Sequence, residues 1–175
     1  MLPVPCELLG DEYSPLNSGV TALPVPDDCH PKIAAILGYW RARHQGSDLP
    51  GRQHFDPTDI PSLLPNIWLM DVSRNPIRFR MRLVGTRVVA YAGEDNTGCW
   101  IDEKWPSYND LPFRQVVASR MPSWWRGPSQ LRPEKTYVEL ERVRLPLARD
   151  GVTVDMLLGL TVFYDQNGKE VLGSM

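Results

Sequence analysis

The chain of 175 residues has no apolar run that approaches the roughly 18 residues of a membrane-spanning helix. Its amino terminus lacks the basic start and the apolar stretch of a secretory signal. A cytoplasmic protein without membrane association is therefore expected. Cysteine is scarce. Cys6, Cys29 and Cys99 are odd in number and widely spaced, with no Cys-x-x-Cys, so neither a disulfide framework nor a zinc knuckle is supported. Histidine is equally scarce. His30, His44 and His54 precede every candidate strand, and only Asp56 lies near enough to His44 and His54 to join them as a ligand. No metal site is expected. The net charge is only -2, which gives no general attraction to nucleic acid. No Gly-x-Ser-x-Gly, no recognisable nucleophile setting and no internal repeat is found, so no catalytic residue is assigned.

What the chain does have is 42% hydrophobic and 23% charged residues, as in a folded globular domain. Residues 1–27 are rich in proline and poor in periodic apolar positions, and an irregular or disordered arm is expected there. A helical extension over 28–66 follows. His30-Pro31 is a helix start, and Ile33, Ile36, Leu37 and Trp40 then fall on one helical face. That face must dock on the chain's own sheet or on a partner. Asp56-Pro57 starts a second helix, of about two turns, which Pro65 closes.

The core is expected over 67–164, with a tail at 165–175. Residues 67–72 form a short apolar strand, and Ser73 to Pro76 is turn chemistry. Next, Ile77, Phe79, Met81 and Leu83 alternate with Arg78, Arg80 and Arg82, which predicts the other half of a hairpin. Residues 86–92 suit a short helix that Gly93 stops. Residues 99–108 read as irregular. Residues 109–121 suit a helix with Phe113, Val116 and Val117 inward and Pro122 beyond its end.

Two long strands follow. Val138 and Leu140 share one parity, while Val143, Leu145 and Leu147 share the other, which predicts a β-bulge near Glu141-Arg142. Asp150-Gly151 reads as a two-residue hairpin turn that sets Leu147 against Val154, Leu145 against Met156 and Val143 against Leu158. Hairpins at both ends with helices between them indicate an α+β fold with an antiparallel sheet.

This order resembles a PAS domain, of the bacterial subgroup that joins an N-terminal helical segment to a minimal core. The residues that carry the resemblance are Leu37-Gly38-Tyr39-Trp40-Arg41, Phe55-Asp56-Pro57, Ile60-Pro61, Leu64-Pro65, Phe79 to Thr86, and Gly93 to Gly98. It covers residues from about 30 to 164. The resemblance implies a PAS-like five-stranded antiparallel sheet with helices on one face. It also implies sensing or protein interaction rather than catalysis, with any ligand between sheet and helices. A pocket there is expected at Met81, Leu83, Phe113, Val117, Arg120, Trp124, Met156 and Leu158. Arg120 is a conceivable anchor for a ligand carboxylate. Haem-binding relatives usually place a histidine near the last strands, and flavin-binding ones use an Asn-Cys-Arg; the histidines here lie elsewhere, and Cys99 sits in Gly-Cys-Trp. No cofactor is evident, and an unidentified small molecule stays open.

Other motifs have rival readings. Gly93 to Gly98 has the spacing of a phosphate loop, but Cys99 and Trp100 stand where Lys and Ser or Thr are needed, so a structural turn is expected. Arg78, Arg80 and Arg82 form a basic ladder, either paired to acids such as Glu139 and Glu141 or free for an acidic partner. Trp100, Trp105, Trp124 and Trp125 are core packing, a pocket or a partner surface. The leading expectation is a regulatory module, acting as a homodimer through Ile33, Ile36, Leu37 and Trp40 and passing its signal to another protein. A ligand-free scaffold with a filled core and an enzyme on a related α+β fold are the alternatives.

Overall fold

The computed structural model describes residues 24–128 and 138–172. The proline-rich arm expected at 1–27 therefore lies outside the described residues as far as residue 23. Five strands, β1 (Ile67–Ser73), β2 (Arg78–Val84), β3 (Ser123–Pro128), β4 (Glu139–Leu147) and β5 (Met156–Tyr164), form one sheet in the order β2-β1-β5-β4-β3. Every neighbouring pair is antiparallel. Helices α2 (Thr86–Ala92), α3 (Ile101–Lys104) and α4 (Leu111–Ser119) fill the connection from β2 to β3, and α1 (Pro31–Arg41) precedes the sheet.

Helix α1 forms as its sequence requires. Pro31 takes the first helical position, and His30 Nδ1 accepts a hydrogen bond from the Lys32 amide. Ile33, Ile36, Leu37 and Trp40 are all buried. They pack on β4 and β5 of the same chain, with Trp40 Nε1 donating to the Pro146 carbonyl at 2.9 Å. Each buried side chain of this size contributes about 2 kcal/mol. This corrects the expected dimer surface: the four residues are taken up inside their own domain and leave no apolar face for a partner.

The sheet is thus covered on both sides. On the α1 side, Glu141, Val143, Leu145 and Leu147 of β4 stand opposite Val162, Leu160, Leu158 and Met156 of β5. On the other side, Leu140, Arg142 and Arg144 stand opposite Phe163, Thr161 and Gly159. Both β4 and β5 are buried along nearly their whole length. The bulge expected near Glu141-Arg142 is absent, because the change of apolar parity reflects burial on two faces and not an inserted residue. The register runs unbroken from Glu139–Tyr164 to Leu147–Met156. The hairpin is therefore two residues out from its expected pairing. Asp150-Gly151 lies within a longer loop, where Asp150 Oδ1 accepts from the amides of Val152 and Thr153. The extension pins this loop: the Leu49 amide donates to Gly151 O, and the Ala148 amide to Pro50 O.

The actual bulge is in β2. Leu69 pairs with Leu83 and Met70 with Met81, so Arg82 is the extra residue. Phe79 and Met81 point into the core, but beyond the bulge Leu83 turns outward and is 43% exposed. The two-turn helix expected after Asp56 is also absent. Its place is held by 3-10 turns at Pro57–Asp59 and Leu64–Asn66, since Pro61 and Pro65 deny the donors that an α-helix needs. The Asp56 cap itself forms, accepting from the Thr58 amide at 2.9 Å. Gly93 ends α2 at φ 80°, as expected. Two elements were not foreseen: α3, inside the stretch read as irregular, and the strand β3 that carries Trp124 and Trp125.

Candidate functional site

Between the sheet and α2–α4 lies a cavity of about 170 Å³. Its floor is Trp68 and Met70 of β1, Met81 of β2, Leu140 and Arg142 of β4, and Thr161 and Phe163 of β5. Val88 and Tyr91 of α2, Ile101 of α3, Trp105 and Tyr108 between α3 and α4, and Phe113 of α4 close it from above. The aromatic rings form two groups. Phe113 meets Trp68 edge-on at 6.2 Å, Phe79 at 5.3 Å and Tyr108 at 5.7 Å, and Tyr91 lies 4.7 Å from Phe163. Trp68 lies flat over Gly159, where a Cβ would come within 2.0 Å of the indole. Only glycine admits that approach.

The polar groups of this face fall into two sets. One set is internally paired. Trp68 Nε1 donates to Thr161 Oγ1 at 3.1 Å. Buried Asn66 donates to Thr161 O and accepts from Arg87 Nη1. Glu94, on the cavity wall, is held by Lys104 Nζ at 2.9 Å.

The other set is not. Arg142 is only 8% exposed, and its Nε is buried without a hydrogen-bond partner. Its guanidinium stands 5.5 Å from the centre of the Trp125 ring. Arg144, 5% exposed, donates weakly to Ser123 Oγ at 3.4 Å and lies 5.4 Å from the Phe113 ring, with its Nε also unpartnered. Burial, and then the charge of Arg142, push Arg144 down to about 10, while the Tyr108 hydroxyl beside it works the other way. Among the described residues, no carboxylate makes an ion pair with either arginine. Asn96 Oδ1 is likewise buried without a partner on the cavity wall.

The α1 side is different. Glu141, 1% exposed, accepts from the His30 amide, Trp124 Nε1 and Tyr164 Oη. Burial alone would raise its pKa. These three donors outweigh burial and hold the carboxyl below its usual range. Around it, Glu170 pairs with His30, Lys32 and Arg87. Every group has a partner, so this cluster fastens α1 and the C-terminal segment to the sheet.

Of the residues expected in a pocket, Met81 and Phe113 line the cavity. Val117 is buried in the core but is not on the cavity wall. Leu83 is turned out by the bulge. Arg120 adopts the left-handed conformation that caps α4, and its Nη2 donates to the Gly151 carbonyl, so it is no ligand anchor in this cavity. Trp124, Met156 and Leu158 lie on the opposite, α1 side. The expectation followed the more apolar parity of β4 and β5, which is the sealed face. The signal it missed was the arginine pair, Arg142 and Arg144, on the parity of Leu140.

The basic ladder finds other acids than those expected. Arg78 pairs with Asp102 and Glu103, Arg82 with Asp71, and Arg80 donates to Gly98 O; Glu139 instead pairs with Arg126. Residues 93–98 are a turn, with Thr97 N donating to Asp95 Oδ1. Burial pushes His44 down, and its ring packs edge-on against Trp40. Among the described residues no three His, Cys, Asp or Glu side chains converge on one point, and no helix is long and apolar enough to cross a membrane.

An antiparallel five-stranded sheet in this order, with short helices over a cavity on one face, defines an α+β domain of PAS-like form. Comparison with known families agrees: residues 29–162 match the PAS_5 family, described as a PAS domain. The match covers more than half of the chain, which belongs to the PAS domain family. No curated protein and no solved structure matches it.

Proposed function

We propose that this chain is a cytoplasmic bacterial sensory module that binds a small molecule in the cavity and signals through contacts with another protein. The observation that carries this reading is the cavity itself. A scaffold with no ligand would fill the space between sheet and helices, yet about 170 Å³ stays open there, walled by aromatic rings with a few polar groups among them. The sheet gives occupancy a route outward, because β4 and β5 carry the cavity on one face and α1 on the other. Membership of the PAS domain family supports sensing rather than catalysis.

Homodimer formation belongs to the same reading, through a surface other than the apolar face of α1. The test is an NMR fragment screen of methyl- and amide-labelled protein, with native mass spectrometry of the purified chain. Expected are shifts clustered at Trp68, Met81, Phe113 and Phe163. Fragments that perturb only surface residues would contradict the reading.

A further inference from the structure

We propose that the cavity takes a small aromatic monocarboxylate, with the carboxylate held by the Arg142 guanidinium and the ring among the aromatic walls. This rests on the small-molecule reading above and names the ligand class for the same site.

A buried guanidinium without a counter-charge is costly. Proteins normally pair such a group with a carboxylate or give all its donors acceptors. The α1 side of this sheet does so for Glu141, and the cavity side does so for Asn66. Arg142 has neither. It lies on the cavity wall, it is more than nine-tenths buried, and its Nε meets no acceptor. The Trp125 ring lies 5.5 Å from the guanidinium and supplies no acceptor for Nε. Arg144 adds a second positive charge on the same face of β4, off the cavity wall. The one carboxylate on the cavity wall, Glu94, is held by Lys104. Arg142 is thus the one cation on the cavity wall, with no carboxylate paired to it among the described residues, and a single negative charge would match it.

The planar fork of arginine matches a carboxylate, which it binds through two parallel hydrogen bonds. A phosphate carries up to two charges and three strong acceptor oxygens, whereas Arg142 is the one cation on the cavity wall and the unpartnered Asn96 Oδ1 is itself an acceptor. Size sets the rest. An apolar cavity of about 150 Å³ holds a benzene ring, so about 170 Å³ holds one ring and a short acidic arm.

The experiment is calorimetric titration with phenylacetate and with its neutral isostere phenylacetamide, alongside thermal melts of the ligand-free proteins. Wild type should bind the acid about tenfold or more tightly than the amide. Arg142→Met should remove that preference and leave amide binding unchanged. Its ligand-free melting temperature should equal or exceed that of wild type, by about 2 °C or more, because an unpaired buried charge is gone. Arg142→Gln removes the charge but keeps hydrogen-bond donors, and should lose the preference even where Arg142→Met fails to fold.

Equal binding of acid and amide by wild type would overturn the carboxylate assignment and leave the small-molecule reading standing. So would an acid preference that survives Arg142→Met. If neither probe binds a protein whose cavity answers neutral fragments by NMR, the carboxylate assignment alone falls. If the cavity answers nothing, both readings fall.

Discussion

The two faces of the sheet are built from the same strands and differ in one respect. On the α1 side, the buried carboxylate of Glu141 has three donors, and the apolar rows of β4 and β5 are covered by Ile33, Ile36, Leu37 and Trp40. On the other side, space is left open and two arginines are buried with no acid paired to them among the described residues. Along β4 the contrast alternates residue by residue: Glu141, Val143 and Leu145 belong to the sealed face, Arg142 and Arg144 to the open one. One face supplies stability. The other gives some of it up, which is the expected mark of a binding site.

Substitutions should separate the two faces. The largest effect belongs to the sealed one. Trp40→Ala removes a buried ring and its bond to Pro146 O, and should cost about 3–5 kcal/mol in denaturant unfolding. For the same reason, Leu37→Asp with Trp40→Asp should unfold the chain and not merely dissociate an oligomer.

Next comes Glu141→Gln, which puts an amide where Glu141 accepts three hydrogen bonds, at about 1–3 kcal/mol near neutral pH. The pH dependence has a definite sign. The folded state holds the Glu141 carboxyl below its unfolded value of 4.5, so the stabilisation is present above that value and disappears as pH falls through the folded one. The gap between wild type and Glu141→Gln should therefore narrow on acidification. A gap constant from pH 7 to about 3 would contradict the assignment.

Gly159→Ala tests the open face. The new methyl meets the Trp68 indole and should cost about 1–3 kcal/mol, with the Trp68 side-chain signal shifted in NMR spectra. The smallest effect is on the surface. Arg82→Ala breaks an exposed pair with Asp71 and should change stability by less than about 0.5 kcal/mol.

The parts legible in the sequence are those set by local chemistry. Helix α1 follows from its cap and its 3.6 period, α2 from its short span and Gly93, and the β1–β2 hairpin from alternation around a Pro-containing turn. Strand β3 was hidden because Ser123-Trp124-Trp125-Arg126-Gly127-Pro128 has no clean alternation and is ordered by pairing with β4. The extra residue at Arg82 is fixed by partner strands and leaves no local mark. Which face holds the cavity was not legible either, since both parities of β4 and β5 are buried. The arginines at 142 and 144 were the available clue, as charge in a fully buried strand needs a reason.

The central claim is that Arg142 is kept for a ligand's charge at the expense of the fold. Paired thermal melts of wild type and Arg142→Met, each with and without phenylacetate, test it most directly. The account predicts that bare Arg142→Met melts at or above wild type, and that the acid raises wild type more than it raises the variant. An Arg142→Met protein that melts lower and is still raised by phenylacetate as much as wild type would contradict it.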